Sequence, residues 1–492
     1  MDVSVLVFLA GGLFLGWSLG ANDAANVFGT AVGTRMVKFG LAAAVCSLFI
    51  ILGAVISGAG AAHTLGKLGA VNTVSGAGMA AFSAALTVYW MTKLGLPVST
   101  SQAIVGAIIG WNLFTGSPTD SGSLVKILAT WVACPLLAAF FGVLIFKITS
   151  KVVAWSKLHI FRLDAYTRVG LILAGALGAY SLGANNIANV MGVFVPSNPF
   201  TTFGDGAFFR FSAIQQLFLL GALAIAVGVF TYSKRVMMTV GSSLFPLSPL
   251  AAWVVVVSHS IVLLLFASQN LEHFLASNGL PTIPLVPVSS SQAVVGAVIG
   301  IGLLKGGRGI RWRVLGSIAS GWITTPIIAG VICFVALFFL QNVFNQRVFQ
   351  DHAYILSPPV MEKLAAEGVA TPSLPALSGR RFERWAALQE ALRAQDSHQP
   401  KSEKTIRAFA MVEPLTVKRS KVYRLQGATF SAEQRAALRA MAGEHFLHRW
   451  RFEAALAEQD PAWRSLPATP ANKMANRRLN DQREEAYLLL QD

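Results

Sequence analysis

The sequence predicts an all-α polytopic membrane protein. Its expected architecture is two inverted repeats of about five helical segments each, some broken or half-length, followed by a mainly helical soluble tail. Three observations carry this. The chain is 54% apolar and 13% charged, about half the charge of an average soluble domain. Long apolar stretches, such as residues 41–62, 124–148 and 314–340, approach or exceed the roughly 20 residues that span a bilayer. And one set of polar phrases occurs twice, once in each apolar half.

The apolar segments of the first half fall near residues 3–19, 39–62, 76–94, 98–114 and 124–148. Those of the second fall near 166–182, 210–232, 248–270, 288–304 and 314–340. The first segment lacks a basic leader, so it reads as a retained helix rather than a cleaved signal. Gly20-Ala21-Asn22-Asp23-Ala24-Ala25-Asn26 returns as Gly183-Ala184-Asn185-Asn186-Ile187-Ala188-Asn189. Pro97-Val98-Ser99-Thr100-Ser101-Gln102 returns as Pro287-Val288-Ser289-Ser290-Ser291-Gln292, and Trp131 to Pro135 returns as Trp322 to Pro326. The offsets of 163, 190 and 191 residues imply an insertion of 27 residues in the second half, expected near 196–210 and 277–287. An odd number of crossings per half turns the second half over. Loop charge agrees: residues 115–123 hold no basic residue, whereas the equivalent loop holds Lys305, Arg308, Arg311 and Arg313.

Up to Leu340 there are 17 Lys and Arg against six acids. This gives a first transmembrane repeat over 1–148, a basic linker over 149–165, a second repeat over 166–340 and a soluble tail over 341–492. The linker and the tail are both expected on the cytoplasmic side of the cell (inner) membrane. The net charge of +16 is explained by the positive-inside bias of loops and argues against nucleic acid as a partner; the lipid bilayer is the partner it implies. Helices are expected in the tail over 380–395 and 431–458, the second opened by a capping box at Ser431 and Gln434. The tail's partner is open, as is a homodimer. Cys46, Cys134 and Cys333 sit in apolar stretches and read as packing residues.

Polar, Gly- and Pro-interrupted segments at matching positions of two apolar halves mark a transporter's binding site. Asp23 is the one acid inside a bilayer motif, and an Asp at a helix centre costs roughly 2.5–3.5 kcal/mol on insertion scales. A bound cation offsets that cost, so sodium is expected at Asp23, with Asn22 and Asn26 as amide-oxygen ligands and Gly20, Gly29 and Gly33 permitting an unwound backbone. Asn185, Asn186 and Asn189 form the second, uncharged version. The Ser/Gln motifs read as the anion side. A Pro in the first turn followed by Ser99, Thr100, Ser101 and Gln102, or by Ser289, Ser290, Ser291 and Gln292, presents hydroxyls and free N–H groups at a positive helix end. His259, between Ser258 and Ser260, reads equally as a proton relay or a structural histidine. No acid/base constellation suggests an enzyme, and no cofactor is implied.

These motifs, with Lys234-Arg235 through Gly241 and Trp312-Arg313, resemble the signature of the inorganic phosphate transporter (PiT) family over most of residues 1–340 and none of the tail. The resemblance implies cation-coupled uptake of inorganic phosphate through two inverted repeats, driven by sodium or protons. It places Asn22, Asp23, Asn26, Asn185, Asn186 and Asn189 at cation sites, and Ser99, Thr100, Ser101, Ser289, Ser290 and Ser291 at phosphate. The sequence departs from the family pattern at Asn186, where Asp is common, and at Gln102 and Gln292, where His is common. Glutamates expected near Ile50 and near Ala251–Ala252 are absent. Fewer carboxylates leave sulfate or another tetrahedral oxyanion open as the substrate. A non-transporting anion sensor signalling through the tail is the reading from another class.

Overall fold

The computed structural model describes residues 3–69, 71–94, 98–203, 211–243, 247–307, 310–369, 374–394, 400–422, 430–469 and 471–490. The chain forms two compact units. One comprises residues 1–201, 212–272 and 282–349; the other comprises 202–211, 273–281 and 350–492.

The first unit is helical. Its first half runs α1 (Val3–Gly33), α2 (Phe39–Ser57), α3 (Ala59–Gly69), α4 (Val74–Lys93), α5 (Thr100–Thr115) and α6 (Ser121–Ser156). Its second half runs α7 (Ile160–Met191), α8 (Ala213–Thr231), α9 (Ser233–Ser243), α10 (Pro249–Leu265), α11 (Gln269–Ser277), α12 (Ser290–Leu304) and α13 (Trp312–Asn342). Among the described residues seven helices are long and apolar enough to cross a bilayer, and α10 and α11 form an eighth candidate bent by 63°. The Ser/Gln motifs open α5 and α12, which at 16 and 15 residues are shorter than a full span. The short α3, α9 and α11 were not legible in the hydropathy pattern.

Between helices in a bilayer, association rests on close packing, which small residues permit. Here glycines meet backbone carbonyls in matched pairs. A Cβ at Gly53 of α2 would lie 2.0 Å from the Tyr180 carbonyl oxygen of α7, and one at Gly228 of α8 would lie 2.1 Å from that of Trp17 in α1. Gly183 meets Ile50 as Gly20 meets Ile225. Gly106 of α5 faces the Pro326 carbonyl of α13, and Gly296 of α12 faces that of Pro135 in α6. Each contact in one half thus has a counterpart in the other. The counterparts of α2 and α8 are offset by 175 residues. The insertion is therefore divided between the connection ahead of α8 and the α11 region.

The same contacts fix helix direction. Gly106 and Gly110 of α5 face Pro326 and Gly330 of α13 in that order, so the two helices run the same way. A short turn returns the chain from α5 into α6, capped by Asp120 accepting from the Ser123 N–H at 2.8 Å. Consequently α13 ends where α6 begins, at the opposite end of the bundle from Lys157. The segment after α13 confirms it: Thr73 Oγ1, at the start of α4, and Trp111 Nε1, near the end of α5, both donate to the Val348 carbonyl, at 2.8 and 3.0 Å. At the other end Lys305 stands over the Phe146 ring. The linker and the exit to the tail, expected on one face, leave this unit at opposite ends.

The second unit holds two lobes of similar construction. In the first, β1 (Tyr354–Ile355) and α14 (Pro358–Ala366) precede β2 (Arg381–Phe382) and α15 (Trp385–Arg393), and Tyr354 pairs antiparallel with Phe382. After α16 (Pro400–Ala410), β3 (Leu415–Thr416), α17 (Arg419–Val422) and α18 (Ala432–Ala440) precede β4 (His445–Phe446), α19 (Arg449–Gln459) and α20 (Lys473–Leu490), and Leu415 pairs with Phe446. The Gly379 N–H donates to the Leu356 carbonyl, and the Gly443 N–H to that of Val417, each at 2.8 Å. Both glycines have left-handed φ, +76° and +106°, which costs a residue without Cβ nothing. Gly443 also explains a difference from the expected helix over 431–458, which breaks into α18, β4 and α19. The capping box at Ser431 and Gln434 forms as read. Phe452 and Trp463 are fully buried in the second lobe.

Candidate functional site

The repeated Asn motifs lie inside α1 and α7, which continue as helix through them. The expected unwinding at Gly20 is absent; that glycine instead allows Ile225 to approach. In an unbroken helix the carbonyls are bonded internally, so they cannot become ligands. The free carbonyls come from the extended residues ahead of the two Ser/Gln helices. Asn22 Nδ2 donates to the Val98 carbonyl at 3.2 Å, and Asn185 Nδ2 to that of Val286 at 3.0 Å. Asn185 Oδ1 also accepts from the Val288 N–H at 2.8 Å. Each Asn motif therefore holds the entry to the Ser helix of its own half. The valine backbone groups were missed in the sequence because apolar side chains gave no sign of a polar role.

Ser99 and Ser289 are N-caps with extended backbone, and each Oγ accepts from the N–H of the Gln three residues on, at 3.3 Å in both cases. Pro97 lies outside the described residues; Pro287 stands two residues ahead of the Ser289 cap. The hydroxyls of both motifs are thus gathered around two helix N-termini, where unpaired N–H groups and the dipole favour an anion.

The last Asn of each motif crosses to the opposite half. Asn26 Nδ2 donates to Ser290 Oγ at 3.0 Å and lies 3.5 Å from Asp23 Oδ1; Asn189 Nδ2 donates to Ser101 Oγ at 2.8 Å and to Asn186 Oδ1 at 3.2 Å. Asn22 Nδ2 also donates to Asp23 Oδ1, at 3.1 Å. Ser101 passes its proton to the Val288 carbonyl at 3.0 Å, and Ser289 and Ser291 bond each other at 3.1 Å. All of these residues are buried save Asn26, which is half-buried. All fourteen expected positions lie in the two motif regions, and asparagine-to-serine bonds in both directions, with that from Ser101 to Val288, join the halves.

Buried polar atoms without a partner mark where a ligand would bond. In this region Thr100 Oγ1, Gln102 Oε1, Gln292 Oε1, Asn189 Oδ1 and His259 Nδ1 have none. Matching orphan oxygens on the two glutamines follow the pseudo-symmetry. Asp23 is the only carboxylate of the motifs, and no cluster of three His, Cys, Asp or Glu suited to a metal occurs among the described residues. Asn22 and Asn26 turn their NH₂ groups to that carboxylate; with the amides turned over, their oxygens would complete a hard-oxygen donor set of the type that suits a small cation. Cys134 Sγ, 3.6 Å from the Ser289 carbonyl, is a further neighbour.

A family model described as "Phosphate transporter family" matches residues 19–333 and 275–417. The chain belongs to the phosphate transporter family. The second matched segment runs past residue 340, further than the motifs alone reach. A "Putative phosphate permease" of Methanocaldococcus jannaschii is 26% identical over 336 residues, covering 68% of this chain and 97% of the relative. One from Pyrococcus furiosus is 26% identical over 421 residues, covering 69% and 98%. A solved structure described as "The sodium-dependent phosphate transporter" superposes with a TM-score of 0.55 at 22% identity, covering 69% of this chain and all of that one. At that identity the likeness speaks for the shared helical membrane fold.

Proposed function

We propose that the protein is a symporter that couples inorganic phosphate to sodium or protons and works by alternating access between two inverted repeats. Membership of a family of phosphate transporters supports the substrate. The observation that carries the mechanism is the pair of hydrogen bonds between halves, Asn26 to Ser290 and Asn189 to Ser101. Each links a candidate cation motif to a candidate anion motif of the other repeat. A cation at Asp23 neutralises the carboxylate, with Asn22, Asn26 and the second set Asn185, Asn186 and Asn189 supplying oxygens. Phosphate sits between the N-termini of α5 and α12, held by Ser99, Thr100, Ser101, Gln102, Ser289, Ser290, Ser291 and Gln292. Rocking one half against the other must break or remake the crossing bonds, and both ligands bear on them. The matched glycine contacts support the inverted repeats.

The same packing supports a revised topology. The ends of α6 and α12 carry Lys147, Lys151, Lys157, Lys305, Arg311 and Arg313, which puts that face in the cytoplasm. The tail, leaving by the opposite end, is then extracytoplasmic, contrary to the expectation from sequence. A cysteine introduced at an exposed tail position such as Glu383 reacts with a membrane-impermeant reagent in intact cells if this holds; reaction only after permeabilisation refutes it.

Labelled phosphate uptake into proteoliposomes, with sodium and proton gradients imposed separately and excess sulfate present, tests the function. Uphill uptake that resists sulfate establishes a phosphate symporter, and the effective gradient names the cation. Suppression by sulfate moves the assignment to a sulfate-type carrier. Binding without accumulation supports the sensor.

A further inference from the structure

The two halves differ at one buried position whose chemistry the site reading does not use. His259, fully buried in α10, places Nε2 2.9 Å from Ser290 Oγ. Ser258 donates to the carbonyl four residues back in α10 at 2.7 Å, and Ser83 does so in α4 at 2.8 Å. These matched serines, 175 residues apart like the matched helices, align His259 with Ala84. Nothing in the first half takes the histidine's place.

Ser290 Oγ lies between two side chains. Asn26 presents its NH₂ there, since the same group faces the Asp23 carboxylate, which accepts hydrogen bonds when ionised. That occupies one lone pair. If His259 carries its proton on Nε2, it fills the other. The Ser290 hydroxyl then has no acceptor role left and its proton points to a third partner. The serine that accepts from the other asparagine differs: Ser101, which the repeat aligns with Ser291, accepts from Asn189 but its proton is committed to the Val288 carbonyl. The Nε2–H tautomer leaves Nδ1 as a bare nitrogen, and Nδ1 is the ring atom without a partner. The opposite tautomer would bury an unsatisfied N–H there and turn the Ser290 proton back onto the ring.

We infer that His259, as the Nε2–H tautomer, is a positioning residue that makes the Ser290 hydroxyl an obligate hydrogen-bond donor to a bound tetrahedral oxyanion. The anion's hydroxyl contact is thereby assigned asymmetrically, to Ser290 more than to Ser101. This rests on the phosphate-site reading above but makes a separate demand.

The test uses the full chain in detergent with inorganic phosphate as the probe. His259→Leu weakens phosphate binding about five- to tenfold, the size of one hydrogen bond. His259→Gln, whose terminal amide carries an N–H near the same place, restores it to within about threefold. Ser290→Ala added to His259→Leu costs little more, whereas Ser101→Ala added to it costs as much as it does alone. Unchanged affinity in His259→Leu, failure of Gln to rescue, or full additivity with Ser290→Ala overturns the inference. ¹⁵N spectra of histidine-labelled wild type at neutral pH report the tautomer without any binding measurement, His259 being assigned by loss of its signals in whichever of His259→Gln and His259→Leu leaves the other histidine signals in place. The Nδ1–H form overturns the proposal. If the wild type binds no phosphate, the site reading fails while the tautomer result still decides this one.

Discussion

Replacing Gly106 and Gly296 by Ala, one at a time, probes the packing that positions the two anion motifs. A Cβ at Gly106 would lie 2.0 Å from the Pro326 carbonyl oxygen and 2.5 Å from its Cα; at Gly296 the distances to the same atoms of Pro135 are 2.2 and 2.6 Å. Ordinary contacts begin near 3.4 Å, so each pair of helices must part by more than about 1 Å. Neither obstacle is a side chain that can swing aside. Overpacking of this kind costs typically about 1–3 kcal/mol. At about 2–4 °C per kcal/mol for a large domain, each variant should melt several degrees below the wild type. The disturbance lies on the second turn of the helices that Ser99 and Ser289 cap, so phosphate uptake should fall as well. Gly40→Ala and Gly316→Ala are the controls: a Cβ there meets nothing within 4 Å, and melting should move little. Thermal unfolding in detergent and uptake in proteoliposomes measure both. If Gly106→Ala and Gly296→Ala melt with the controls, the close approach of α5 to α13 and of α12 to α6 is wrong.

Asp23→Asn should abolish cation-driven accumulation and any sodium-dependent rise in melting temperature, which for sodium at 100 times its Kd is worth about 2.7 kcal/mol; unchanged uptake removes the cation role. Asn186→Asp, which puts a carboxylate where Asn189 already donates at 3.2 Å, should lower stability without sodium by about 2.5–3.5 kcal/mol and raise the Hill coefficient for sodium; an unaltered sodium dependence counts against the second site. In the tail, burial holds His352 and His448 below the ordinary histidine range, with Arg407 adding to the effect at His352 and Arg451 at His448 against a bond to Met411. The unfolded chain therefore binds protons first, and tail stability should be complete above about pH 6.5 and decline as pH falls below it. Hydrogen exchange of α19 at pH 7 and 5.5 checks this. His448→Asn, which keeps a donor toward the Met411 carbonyl, should flatten the profile.

What the sequence carried was whatever a local phrase can encode. The paired motifs, the apolar spans and the capping box at Ser431 all depend on residues within a few positions of one another; the proline expected in the first turn of the second Ser helix instead stands ahead of it, because Ser289 is the cap. Contacts set by distant chain were hidden. Val98, Val286 and Val288 act through backbone atoms, so their side chains gave no hint. Gly20 and Gly29 suggested an unwound backbone, yet Gly20 serves a neighbouring helix and α1 stays intact. The tail's two lobes escaped notice because they share hydrogen-bond geometry at Gly379 and Gly443 more than sequence. Helix direction was hidden too: basic residues were weighed without the order in which Gly106 and Gly110 meet Pro326 and Gly330, the contact on which the proposed topology rests.

Two departures from symmetry fall on opposite ends of one hydrogen-bond chain. Asp23 stands where its partner half has Asn186, and His259 where its partner has Ala84. Asn26 joins them through Ser290. A scaffold needing only two equal halves would have no reason to link the carboxylate of its motifs, Asp23, to the buried imidazole of His259 through Asn26 and Ser290. Coupling does provide a reason. On the proposed reading, a cation on Asp23 would compete with Asn26 for the carboxylate, and an anion on Ser290 would compete for nothing, because His259 as the Nε2–H tautomer and Asn26 would leave its proton free. Asn26 released from Asp23 would then bond Ser290 alone, so that on this reading the cation would prepare the donor that the anion needs. On the other side Asn186 carries no charge and the Ser101 hydroxyl already donates to the Val288 carbonyl.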